Sequence, residues 1–334
     1  MKEQHITLAH GNGGRYMREL IEQLFAKYLA NPELDVSADA SPIDLPAGQP
    51  MFTTDGFIVH PLEFPGGDIG ALAVHGTCND LAVAGADPLY LSLSAFIEEG
   101  LSLETLERLV RSIANAAADT GVRVVAGDTK VLPRGEGSGV YFSTAGVGVV
   151  PPGIQLSMQQ IQPGDKLLVS GPVGDHGVCV MLAREEFGMR GDLKSDAASV
   201  YPLTRAIRQL PGLRFMRDPT RGGLATVAHE IVRATQLRVT LDGPAIPIHD
   251  PVQSVCDMLG YDPLFLACEG RVVAVADPAT ASQILAIWQA LPGGQSASEI
   301  GTIDQGAARV EMITELQGRR ILEELEDDPL PRIC

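Results

Sequence analysis

The sequence predicts an α/β or α+β protein built as two domains with a C-terminal tail. Three observations carry that expectation. Strand-like and helix-like periodicities alternate along the chain. Its 334 residues suffice for two separate cores. Pro151-Pro152-Gly153 interrupts the alternation midway, and the connection runs on to Pro163-Gly164-Asp165. The expected division is residues 1–150, residues 151–316, and a mobile tail over 317–334 that carries the last residue, Cys334.

Taken in order, His10-Gly11-Asn12-Gly13-Gly14 leads into a helix with Met17, Leu20, Ile21, Leu24, Phe25 and Tyr28 on one face. A glycine-rich loop at a helix N-terminus offers free N–H groups and a positive dipole end to an anion. It is equally the pattern of a plain loop. Residues 31–48 read as a polar connection. Met51 to Gly56 reads as a strand ending in Asp55 at a turn. Gly66-Gly67-Asp68 then feeds an alanine-rich helix that carries Asn79-Asp80 inside an otherwise small and apolar run. Polar side chains in such a run need partners, because burying them bare is costly. Leu89–Ile97 alternates as a strand, and Leu103, Leu106, Leu109, Val110 and Ile113 mark an amphipathic helix. Val122–Ala126 is a short strand ending in Gly127-Asp128-Thr129-Lys130, and Tyr141–Val150 is another strand.

The second half opens with a strand at Lys166–Ser170 and a glycine-rich turn, Gly171–Gly177, before a helix. Residues 188–199 read as a loop. Arg217-Asp218-Pro219-Thr220-Arg221-Gly222-Gly223 precedes a helix over Leu224–Thr235. Strands are expected at Leu237–Leu241, Arg271–Ala276 and Ala308–Leu316, with helices near 251–260 and 279–290. Pro329 and Pro331 keep the end extended, and from Gly318 it reaches up to roughly 55 Å when fully stretched.

Composition removes several function classes. A formal net charge of −17 argues against nucleic acid as a partner. It leaves nucleotides open, since magnesium bridges carboxylates to phosphates. No apolar run has the length of a membrane span, and the N-terminus lacks a signal peptide's layout, so a cytoplasmic protein is expected. The cysteines are Cys78, Cys179, Cys256, Cys268 and Cys334, with no zinc spacing among them. The first four lie among apolar neighbours and read as buried packing groups; Cys334 alone has a polar setting.

The sequence holds no P-loop, no H-E-x-x-H, no G-x-S-x-G and no Rossmann fingerprint. What remains is a set of carboxylates at element ends: Asp55, Asp68, Asp80, Asp128 and Asp218. Gathered in one place, they need a cation such as magnesium on a polyphosphate. From spacing alone, five unrelated surface aspartates fit as well.

Joined in order, these motifs have a family likeness. His-Gly-x-Gly-Gly, Thr-Thr-Asp, Asn-Asp-Leu, Gly-Asp-Thr-Lys, Asp-Pro-Thr-Arg-Gly-Gly and the closing Pro-Arg-Ile-Cys resemble the HypE family of hydrogenase maturation factors. More broadly they are similar to the aminoimidazole ribonucleotide synthetase superfamily, with selenophosphate synthetase and thiamine-phosphate kinase. The likeness runs from His10 to Cys334, and the cysteine-ended tail is what singles out HypE. It implies two domains with mixed sheets, a homodimer paired through its N-terminal sheets, and ATP near the subunit boundary. By motif match Asp55, Asp80, Asp128 and Asp218 would hold Mg2+. Gly11, Asn12, Gly13 and Gly14 would close over the nucleotide, with Asp68, Asn79, Thr129 and Thr220 assisting.

The implied reaction is ATP-dependent dehydration of an S-carboxamide on Cys334 to a thiocyanate, the source of the cyanide ligands of NiFe hydrogenase. The implied partners are a HypF-type carbamoyltransferase that loads the thiol and a HypC–HypD-type iron-carrying complex that accepts the cyanide. Glu269, in Cys268-Glu269-Gly270, is the candidate base, and Lys130 would orient the carboxamide or stabilise developing negative charge; a salt-bridged loop residue and a phosphate contact are the alternative readings of the two. His10, His75 and His176 lie near motifs; for His75 and His176 a hydrogen-bonded structural role is favoured. Two other readings stay open: a superfamily enzyme acting on a free phosphate ester, and a scaffold whose tail docks on partners.

Overall fold

The computed structural model describes residues 4–184, 188, 191–326, 330 and 333. Cys334, expected to be the reacting residue, lies outside the described residues, as do Pro329, Pro331 and Arg332. The N-terminal helix forms as three consecutive segments, Arg15–Leu20, Ile21–Phe25 and Ala26–Tyr28, the middle one wound as a π-helix.

The first half is a four-stranded sheet with helices on one face. Its strands are β1 (Gln49–Phe57), β2 (Asp87–Glu98), β3 (Arg123–Leu132) and β4 (Val140–Val150), in the order β1-β4-β2-β3. Only β2 and β3 run parallel. Helix α1 (Ile69–Val83) is buried almost throughout, which explains its uniformly small, apolar composition. Helix α2 (Leu103–Thr120) is the amphipathic one: Ser102 caps its start by accepting from the Thr105 N–H, and Gly121, at φ 78°, ends it. The other sheet face is half-exposed, with Phe52, Ser94, Phe96, Ser143 and Asp128 along it.

The second half is a seven-stranded mixed sheet. Its strands are β5 (Lys166–Val169), β6 (Leu213–Arg217), β7 (Arg238–Asp242), β8 (Val273–Ala276), β9 (Ser298–Asp304), β10 (Val310–Ile313) and β11 (Arg319–Ile321). Their order is β11-β10-β7-β9-β5-β8-β6. Its helices are α3 (Asp175–Ala183), α4 (Tyr201–Ile207), α5 (Gly223–Thr235), α6 (Asp250–Leu259) and α7 (Pro278–Gln289).

Several expectations need correction. Strands β6, β9 and β11 and helix α4 were not expected. Asp55 and Asp128 do not end their strands: β1 runs on to Phe57, and β3 continues to Leu132 because its ladder with β2 persists through Glu98↔Leu132. The stretch from 317 is not a free tail from its start. Arg319–Ile321 pairs with Glu311–Ile313, Arg319 reaches Glu311 at 3.0 Å, and Leu322 is buried in the second-half core. Farther on, the acidic run makes an exposed ion pair from Glu324 to Arg233, and Leu330 and Ile333 are buried against the first core.

Candidate active site

A cavity of about 300 Å3 lies between the halves, lined by Asp55, Gly76, Asp80, Arg217, Asp218, Thr220, Arg221 and Glu269 among others. Four segments bring it together. Asp55 comes from β1 and Asp80 from the last turn but one of α1. Gly76 lets these two elements close: a Cβ there would stand 2.8 Å from the Phe57 ring. Thr53, two residues before Asp55 on the same face, donates to the Asp80 carboxylate at 2.9 Å. Asp218 and Thr220 come from the turn before α5, whose N-terminal end faces the cavity through Thr226 and Val227. That turn requires glycine. Gly222 and Gly223 have φ of 68° and 60°, and a Cβ on Gly223 would stand 2.5 Å from the Leu264 carbonyl.

The carboxyls are crowded. Asp218 is 6% exposed, and burial, with Asp80 beside it, pushes its carboxyl up to about 7. Burial also raises Asp55 and Asp80. Glu269 is 3% exposed, its Oε1 has no hydrogen-bond partner, and burial plus the charge of Asp218 holds its carboxyl well above the usual range. Arg221 answers part of this charge, 3.5 Å from Asp55. Among the described residues no three His, Cys, Asp or Glu groups form a ready metal cage. The donor set instead fits a divalent cation held by one or two carboxylates and completed by phosphate oxygens, as magnesium commonly is. The α5 N-terminus supplies the positive end such phosphates need.

Two residues expected beside the nucleotide have structural partners. Asp68 caps α1, its Oδ1 accepting from the N–H groups of Gly70 and Ala71 at 2.7 and 3.0 Å. Asn79, 2% exposed, spends its amide as an inter-domain clamp: it donates to the carbonyls of Ala198 and Glu269 and accepts from the Val200 N–H.

Another expected group lies elsewhere. Asp128, Thr129 and Lys130 sit on β3, the far edge of the sheet from β1. The row Asp55–Thr144–Leu93–Gly127 crosses three strand spacings, about 14 Å. Asp128 faces the open side of the sheet and pairs with Lys130 at 2.8 Å, which holds its carboxyl below the usual range. The glycine loop belongs to this edge as well, since a Cβ on Gly11 would stand 2.9 Å from the Val131 side chain. An apolar pocket with Phe25, Leu34 and Val124 in its wall opens beside Asp128 and Thr129. A single chain therefore does not bring Asp128 or Lys130 to Asp55, Asp80, Asp218 and Glu269.

Comparison with known proteins fits this geometry. The family models for AIR synthase related protein match residues 37–150 (N-terminal domain) and 162–313 (C-terminal domain). The carbamoyl dehydratase HypE of Azotobacter vinelandii is 45% identical over 336 residues, covering 100% of this chain and 98% of that protein. The chain belongs to the HypE family. A crystal structure of a HypE in complex with ATP superposes with a TM-score of 0.93 at 40% identity, covering 98% of this chain and 99% of that one. A HypE–HypF complex gives 0.81 at 39% identity, covering 92% of this chain and 99% of that one.

In this HypE-family chain the remaining expectations fall as follows. Cys78, Cys179, Cys256 and Cys268 are buried, and burial pushes the thiols of the first three up to about 12, 11 and 12. His75 on α1 is half-buried, its Nδ1 has no hydrogen-bond partner, and desolvation holds its pKa down at about 4. Sequence reasoning missed Asp196. Its Oδ1 accepts from the Glu269 N–H at 3.1 Å, and its Oδ2 lies 3.3 Å from Arg271. Arg271 in turn reaches Asp175 at 3.4 Å, giving a buried ionic brace under Glu269. Asp196 sits in a stretch without periodicity, so no pattern marked it. Gly270 was a usable signal: a Cβ there would stand 1.9 Å from the Asp196 carbonyl oxygen. Among the described residues no helix is long and apolar enough to cross a membrane.

Proposed function

We propose that this chain is an ATP-dependent carbamoyl dehydratase that acts on its own C-terminal Cys334. The observation that carries this reading is Glu269, a buried carboxyl with an unpartnered oxygen in the same cavity as Asp55, Asp80 and Asp218. A kinase transferring phosphate to a free hydroxyl needs positioned charge above all. Removing water from an amide also needs a proton acceptor held away from solvent, and a carboxylate of raised pKa suits that work.

The balance is S-carboxamide plus ATP giving thiocyanate, ADP and phosphate. The amide oxygen attacks the γ-phosphorus as the bond to ADP breaks. Phosphate then leaves with that oxygen, and the two N–H protons are lost as the C≡N bond forms. Glu269 takes a proton from nitrogen, and the backbone grip of Asn79 and Asp196 keeps its loop in place. Asp55, Asp80 and Asp218 would hold Mg2+, which neutralises phosphate charge. Thr220 and the α5 N-terminus, which line the same cavity, would meet the same phosphates.

The second edge enters through a second copy of the chain. The half-exposed sheet face carries Phe52, 70% exposed, on β1 and Asp128 and Lys130 on the opposite edge strand β3. Pairing two such faces would bury Phe52 and present one copy's Gly11–Gly14 loop, Asp128 and Lys130 to the other copy. The ATP of the HypE complex and the HypF of the HypE–HypF complex are the ligand and loading partner we assign to this chain. A HypC–HypD-type complex accepts the cyanide group, and the reaction is placed in the cytoplasm.

Intact mass spectrometry of the C-terminal peptide tests the reading. Incubation with the carbamoyl-loading partner, its substrates and magnesium–ATP is expected to add a carboxamide at Cys334. One water is then lost only when ATP is present, and Cys334→Ala shows neither change while its ATP affinity holds. ATP turnover on an added metabolite, with Cys334 unmodified, would hand the case to a small-molecule enzyme.

A further inference from the structure

His176 has no part in the reaction as derived, yet its ring is fully buried and both nitrogens are engaged. Nε2 lies 2.5 Å from the carbonyl oxygen of Ile333, and Nδ1 lies 2.8 Å from the Ser195 hydroxyl. A carbonyl oxygen only accepts, so Nε2 carries the proton and Nδ1 accepts from Ser195. The Ser195 oxygen in turn accepts from the Ala197 N–H at 3.0 Å. Every donor in this line has one acceptor, which fixes a single neutral tautomer. The Phe64 ring meets the imidazole edge-on at 5.5 Å and holds its plane. Ile333 itself is 4% exposed.

The support of this contact is shared with Glu269. Ser195 orients His176, and the next residue, Asp196, grips the Glu269 backbone. The Ser195 N–H donates to the Pro65 carbonyl at 2.8 Å, and Gly66, at φ 94°, packs where a Cβ would stand 2.9 Å from Ser195. Asp175, the residue before His176, is tied through Arg271 to Asp196. Tail carbonyl and candidate base thus hang from two consecutive residues of one braced loop.

We propose that His176 is a positioning residue for the C-terminal tail: its Nε2–H holds the Ile333 carbonyl, and the Ser195-Asp196 pair sets that anchor in fixed register with Glu269. The proposal deepens the dehydratase reading and rests on it for its catalytic consequence, but tail docking is measurable without any reaction.

The experiment uses the full-length protein with His176→Phe, which keeps an aromatic ring beside Phe64 and removes the donor, and His176→Gln, which keeps a donor. Iodoacetamide labelling of Cys334, followed by peptide mass, reads docking in the unloaded protein, the four buried cysteines serving as internal controls. Labelling is expected to rise about tenfold in His176→Phe, the effect of losing one buried hydrogen bond, and to return toward wild type in His176→Gln. On the loaded protein, single-turnover water loss should slow to a similar degree with ATP affinity unchanged. Labelling of a folded His176→Phe at the wild-type rate overturns the anchor. If His176→Phe melts early, Ser195→Ala, which frees the ring's tautomer, carries the same expectation at smaller size. Faster labelling in His176→Phe together with no ATP-dependent water loss in wild type would keep the anchor and sink the dehydratase reading.

Discussion

The two acidic edges of the first sheet follow opposite rules. At the β1 edge Asp55 and Asp80, half-buried, and Asp218, buried, are crowded and raised in pKa. At the β3 edge Asp128 is exposed, neutralised by Lys130 and lowered in pKa. The first arrangement is costly alone and profits from a cation; the second is content alone and has little cause to recruit one. A carboxylate cluster under strain is therefore the informative one. Motif spacing cannot tell the two apart.

Changing Glu269 should separate chemistry from binding most sharply. Glu269→Gln keeps the shape of the side chain and the backbone contacts to Asn79 and Asp196. Water loss from the loaded tail is expected to fall roughly 100-fold or more, as for removal of a general base, with ATP affinity within a factor of about three. An equal loss in both, by single-turnover mass spectrometry and calorimetry, would make Glu269 a binding group.

Mixing experiments probe whether the edges cooperate across copies. Asp128→Asn and Asp218→Asn are each expected to be nearly inactive. Refolded together in equal amounts, they should regain about a quarter of wild-type activity, since half the dimers carry one intact site in two. No recovery, with heterodimers verified by native mass spectrometry, would place both aspartates in the same chain's site.

The pH dependence of stability should carry the mark of the buried edge. Asp218 has a folded value of about 7, above the 3.8 of a free aspartate. The folded state therefore binds more protons than the unfolded one in this window, and stability falls as pH rises from about 4 to 7. Melting scans without nucleotide should show that fall, and Asp218→Asn should reduce the slope without abolishing it, because Glu269, Asp55 and Asp80 are raised in the same direction. Magnesium–ATP should reduce the slope as well, whereas Asp128→Asn should leave it unchanged.

The smallest effect concerns Asp68. As the cap of α1, Asp68→Ala is expected to cost about 1 kcal/mol in denaturant unfolding, with no change in ATP affinity beyond that. A selective loss of nucleotide binding would return Asp68 to the site.

These contrasts also mark what the sequence discloses. Asp55, Asp80 and Asp218 stood out because each lies beside glycine or a small polar residue at a structural transition, but their spacing assigned no role; the family likeness did so for them and for Glu269, and the fold brings all four to one cavity. Asp68 and Asn79 show why residue type alone does not assign a role: a helix cap and a buried clamp put the same residue types in the same places as a ligand set. The paired strand 319–321 escaped notice because Arg319 and Arg320 look like a solvated run until Glu311 is placed opposite. The separation of Asp128 from the other aspartates is a matter of strand order, and strand order is set by long-range pairing that no local window contains.

Under the proposed pairing, half-sites on opposite edges of one sheet would tie ATP use to protein concentration. A newly made chain, dilute and unpaired, owns a strained pocket without its second wall and a glycine loop without phosphates to cover. Under the paired arrangement, turnover per chain should climb with protein concentration and level off once pairing saturates.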